Sequence, residues 1–150
     1  MKFNSHCNFD IALDGNILKI TANFAWNQEC ANEFVINVQN VIENRAQAGS
    51  FVTLCIVEED WLPTSDSLST LTTITKWGVG KGMKKEAFLF KTKIAETLLL
   101  EKLLAPLDKT GCEFKSFDNE DEALYWLAPQ DKVLVCYITK LVCLYCSDPW

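Results

Sequence analysis

The segment Phe51–Val57, FVTLCIV, is an almost unbroken apolar run with several β-branched residues. Seven residues are too few for a typical buried helix, and an extended chain sends alternate side chains to opposite faces. Both faces of such a strand must be covered, which places it inside a sheet with layers on either side. Parallel neighbours in that setting are joined by crossovers long enough to hold a helix. The run therefore predicts a central parallel strand and draws the rest of the chain into an α/β arrangement.

The flanking sequence supplies the crossovers. Over residues 27–45, Ala31, Phe34, Val35, Val38, Val41 and Ile42 recur at three- and four-residue spacing, which predicts a helix with one apolar side. After the acids Glu58, Glu59 and Asp60, the capping residues Thr64, Ser65, Asp66 and Ser67 precede Leu68, Leu71, Ile74 and Trp77, again at helical spacing. EAFLF (residues 86–90) reads as a short strand. Ala95, Leu98, Leu99, Leu103 and Leu104 mark a further helix that Pro106 ends or kinks, because proline lacks the amide proton. GCEFKSF (residues 111–117) reads as a last core strand. Upstream of everything, Asp14-Gly15-Asn16 separates two extended segments and predicts a β-hairpin.

Past the last strand comes FDNEDEALYWL, residues 117–127. Asp118 or Asn119 serves as cap, Asn119 and Glu122 have capping-box spacing, and acids in a first turn face the positive end of the helix dipole. The acidic turn is a helix start signal, with Ala123, Leu124 and Leu127 set to pack on the sheet. The fold class expected is α/β: a mixed central sheet with an N-terminal hairpin and helices packed on it.

With the elements in this order, the chain resembles the STAS superfamily and, within it, the SpoIIAA-like proteins. The hairpin, the long helix, FVTLCIV, EAFLF and above all EALYWL (residues 122–127) carry the resemblance, which covers about residues 9–128. It implies a non-enzymatic regulatory or interaction module that docks on a protein partner, a kinase-like regulator, and is switched by phosphate on a Ser or Thr at the start of the helix after the central strand. The matching stretch here is TSDSLST, so Ser65 and Ser67 are the phospho-acceptor candidates, although the usual Asp-Ser-Ser-Gly signature is absent. A phosphate there would sit beside Glu58, Glu59, Asp60 and Asp66.

Two other functions stay open. A small-ligand carrier would hold an apolar or anionic molecule near the strand ends, where Trp61, Trp77, Glu58 and Asp60 are the candidate ligand or partner surface. A metal-dependent enzyme would use the acidic loop from Glu58 to Asp60, just past a parallel strand. No catalytic set is evident. The sole histidine, His6, has no partner pattern, and GVGKGMKK lacks the Walker spacing. Cys143 and Cys146 form a single C-x-x-C without a second ligand pair, so neither a metal nor a cofactor is expected.

The net charge of −6 repels polyphosphate, which argues against nucleic acid as a partner. Six lysines between Lys76 and Lys93 are read as a solvated loop, with Glu86 the one acid among them. The seven cysteines lie mostly in apolar runs and read as buried thiols in a reducing cytoplasm. No signal peptide is evident, and the longest apolar-rich run, residues 133–146, is too short to span a bilayer. Residues 1–128 are expected to form the domain. Residues 129–150 form an apolar C-terminal extension that packs on it or pairs with a second subunit.

Overall fold

The computed structural model describes residues 8–107 and 110–129. The hairpin is β1 (Asn8–Asp14) and β2 (Ile17–Asn23), antiparallel, with Asp14 opposite Ile17 across a two-residue turn. Gly15 takes φ 60° in that turn, a conformation open to glycine at no steric cost. A two-residue strand β3 (Ala25–Trp26) leads into helix α1 (Gln28–Glu43), capped by Asn27, whose side-chain oxygen accepts from the Cys30 amide at 2.9 Å.

β4 (Phe51–Val57) is the predicted central strand, and β5 (Leu62–Pro63) pairs with β3 in a small parallel ribbon that periodicity cannot reveal at two residues. Helix α2 (Ser65–Gly80) is capped by Thr64. Its threonines are accommodated because the hydroxyls of Thr70, Thr72, Thr73 and Thr75 each donate to the carbonyl four residues back.

β6 (Met83–Phe90) begins three residues earlier than the sequence suggests and contains Lys84 and Lys85. The lysine-rich stretch is thus no loop: it is divided between the end of α2, a core strand and the turn beyond it. α3 (Lys93–Leu99) passes into a π-helical turn (Leu100–Leu104) and a short 3-10 turn (Ala105–Leu107). Pro106 has no N–H to donate to the preceding turn, so the regular helix gives way there. β7 (Glu113–Phe117) and α4 (Glu120–Leu127) complete the domain. The Asn119 side chain accepts from the Glu122 amide at 2.9 Å, the cap expected from the acidic turn.

The main sheet has the order β1-β2-β4-β6-β7, antiparallel at the hairpin and parallel elsewhere. Alternation along β4 decides the layers. Val52, Leu54 and Ile56 pack with Ala123 and Leu127 of α4, while Phe51 and Val57 face the larger core under α1, α2 and α3. Of the apolar extension expected over residues 129–150, residues 130–150 lie outside the described residues. Among the described residues, no helix is long and apolar enough to cross a membrane. Cys55 and Cys112 are free thiols, whereas Cys30 is disulfide-bonded.

Candidate ligand-binding cavity

The three-helix side of the sheet is not filled. A cavity runs between the odd-numbered side chains of β4, the matching face of β6 and the helices above, bounded by Phe34, Leu71, Ile74, Gly78, Leu99 and Leu103 among others. The space open to the centre of a water-sized sphere is about 70 Å³. A single water needs only ~10–15 Å³ on that measure, so the void exceeds an ordinary packing defect. One wall is the π turn, which brings Leu103 to the cavity four residues after Leu99.

The floor carries the polar chemistry. Thr53 pairs with Glu86 and Cys55 with Phe88 in the parallel register, so strand alternation sets Thr53, Cys55, Glu86 and Phe88 on the cavity face together. The Thr53 hydroxyl donates to Met83 Sδ at 3.1 Å. Glu86 is only 7% exposed, and its Oε2 has no hydrogen-bond partner. Burial pushes its carboxyl up to about 8, because the charged form loses hydration with nothing in return. Burial also raises the Cys55 thiol, with the Glu86 charge adding to the effect. Cys55 is therefore held as a thiol, the opposite of what a nucleophile needs. On another wall Trp61, 5% exposed, has an unpartnered indole N–H and stands edge-on to Trp26 at 6.0 Å. Lysine, arginine and histidine are absent from the described residues that line the cavity.

No family model matches this sequence, and no curated protein matches it. Among solved structures, it is similar to an uncharacterised protein of the DUF3478 family with a SpoIIAA-like fold from Shewanella loihica. The two superpose with a TM-score of 0.58 at 19% identity over 85% of this chain and 99% of that one. The chain has a SpoIIAA-like fold. The STAS-type α/β architecture expected from element order is thereby shown, and the likeness at this identity extends to the fold alone.

Within this SpoIIAA-like frame the residues singled out from sequence separate into three groups. Trp61 and Trp77 both line the cavity, which brings together two aromatics that are sixteen positions apart. Glu58 and Asp60 lie in the turn after β4. The Glu58 carbonyl accepts from the Trp61 amide at 3.2 Å, and Asp60 Oδ1 accepts from the Phe24 amide at 3.3 Å. Among the described residues no three His, Cys, Asp or Glu side chains are grouped to hold a metal ion.

Ser65 is exposed in the first turn of α2. Ser67 is 0% exposed, its hydroxyl donating to the Thr64 carbonyl at 2.8 Å and to that of Trp26 at 3.3 Å. Glu86 was missed as a site residue because it stood among lysines. The signal was nonetheless present: Glu86, Phe88 and Phe90 share one parity in EAFLF, which sets the acid on the same face as two phenylalanines.

Proposed function

We propose that this SpoIIAA-like domain is a non-enzymatic binding module that takes up a small, largely apolar molecule in the cavity under α1, α2 and α3. One observation carries the reading: an apolar chamber between the sheet and its helices retains a buried, unpartnered Glu86 carboxyl. Selection for stability alone would fill such a space or pair such a group. The absence of a cation among the described lining residues favours apolar over anionic ligands, narrowing the carrier reading drawn from sequence. Thermal unfolding and tryptophan emission, measured across a panel of small apolar alcohols, amines and acids, test it. Trp26, Trp61 and Trp77 line the chamber, so a ligand is expected to shift emission and raise the midpoint together. A folded protein that responds to no member of the panel overturns the reading.

A second reading, a regulatory module that docks on a protein partner, is favoured by the exposure of Ser65 at the start of α2. A phosphate at Ser65 would lie beside the first amides of that helix, whereas Ser67 must leave the core before a kinase reaches it. Mass spectrometry of the protein from its native cells tests this reading, with phosphate expected at Ser65. An unmodified Ser65 across growth conditions removes it. Self-association through residues 130–150 is tested by deleting them and measuring solution mass.

A further inference from the structure

The chemistry of the cavity narrows its ligand beyond the reading above, on which this inference rests. Among the described residues that line the cavity, Glu86 is the only one whose ionised form carries a formal charge near neutral pH, and that charge is negative. A carboxylate or phosphate head group would meet this side chain with no cation to offset either of them. The chamber also presents aromatic rings from Trp26, Phe34, Phe51, Trp61, Trp77 and Phe88, whose faces attract positive charge and polarised N–H groups. The neighbours of Glu86 leave its Oε2 available. Thr53 already donates its proton to Met83 Sδ. The helices contribute Leu71, Ile74 and Thr75 from α2 and Leu103 from the π turn, and the Thr75 hydroxyl is committed to the Leu71 carbonyl at 2.8 Å.

We propose that the cavity selects a small apolar molecule bearing a single amino group, which donates to the Glu86 carboxyl at the level of Thr53 while the apolar body lies beneath α1 and α2. Protons balance as follows. The empty site holds Glu86 as a neutral acid. When an alkylammonium enters, Glu86 Oε2 accepts a hydrogen bond from the ammonium, and the Glu86 proton leaves to solvent. The chamber is neutral before and after, which avoids an uncompensated buried charge. Among the described residues, the titratable groups that sense Glu86 are the Cys55 thiol on β4 and the Cys112 thiol ahead of β7. Burial raises both, Cys112 to about 12, so both stay neutral through the exchange.

The test compares n-hexylamine, hexan-1-ol and hexanoate, which share one apolar chain, by titration calorimetry on the full chain. Hexylamine is expected to bind at least tenfold tighter than hexan-1-ol, with hexanoate weakest. At pH 6.5, repeating the titration in two buffers of different ionisation enthalpy is expected to reveal release of close to one proton per amine bound. In E86Q the amine preference and the proton release are both expected to vanish while hexan-1-ol still binds. Hexan-1-ol or hexanoate binding as tightly as the amine overturns the inference and leaves the apolar carrier standing, as does an amine preference that survives E86Q. If none of the three binds, the carrier reading falls with it. Proton release is measured on the wild-type chain, so the inference stays testable if E86Q does not fold.

Discussion

A carboxyl set beside Phe88 on the wall of an apolar cavity is costly to ionise, and Glu86 makes that cost visible as a pH dependence. In the unfolded chain its carboxyl titrates at the ordinary 4.5, and in the fold at about 8. Between those values the folded state keeps a proton that the unfolded state has lost, so stability falls as pH rises. The contribution is fully present below 4.5, declines across the window and is gone above about 8. Its size is on the order of a few kcal/mol, since one pKa unit corresponds to about 1.4 kcal/mol. Denaturant unfolding of the ligand-free protein at pH 5 and pH 8 is expected to show this loss, and E86Q is expected to remove most of it. A second residue-scale strain sits at Phe24, which has φ 61° and whose amide is held by Asp60. D60A is expected to cost about 1 kcal/mol in the wild type and less in an F24G background, where the left-handed backbone is no longer strained. Chemical denaturation of the four proteins closes that cycle.

At the scale of elements, the signals that proved legible were those repeated over many residues. FVTLCIV gave its strand because a nearly unbroken apolar run needs two covered faces, α1 was readable from its stripe, and α4 from its cap and acidic turn. The ribbon of β3 and β5 was not legible, since two residues carry no period. The start of β6 was hidden for another reason. The register slips between Phe51 and Val52, so Lys84 is an extra residue at an irregularity and the lysines look like loop. Arg45 also escaped notice, yet it binds this end of the sheet together. Its guanidinium donates to the carbonyls of Ile42, Gln47, Gly49 and Lys81, and lies 5.5 Å above the Phe51 ring. It thereby closes the C-terminus of α1 and ties it to that of α2. Lysine keeps the charge but not the planar fork, so R45K is expected to lose about 1–3 kcal/mol. Equilibrium unfolding checks this, and a loss no greater than a few tenths would mean the fork is dispensable.

For the whole molecule, the two sides of the sheet have different duties. α4 seals one side, its Ala123 and Leu127 packed in one cluster with Ala87 of β6, whereas the other is held open between three helices and a π turn. The open side was the part of the site least legible in sequence, because a void is a property of packing that no single residue announces. Only Trp61, Trp77 and the parity of Glu86 pointed to it. Gly78 offers a way to separate stability from ligand capacity. It is buried within α2, and a Cβ placed on it would meet Met83 Cε and Sδ at 3.8 Å and Phe51 Cζ at 4.0 Å, ordinary contact distances. Glycine inside a helix costs about 1 kcal/mol relative to alanine. G78A is therefore expected to raise stability by up to that amount. G78L would send its larger side chain towards Met83 and Phe51, into the space a ligand needs. A folded G78L protein, checked by circular dichroism, is expected to lose the ligand-induced rise in unfolding midpoint that the wild type shows. If G78L keeps that rise in full, the ligand does not occupy the chamber beneath α2, and the opening between helices and sheet is a packing defect without a use.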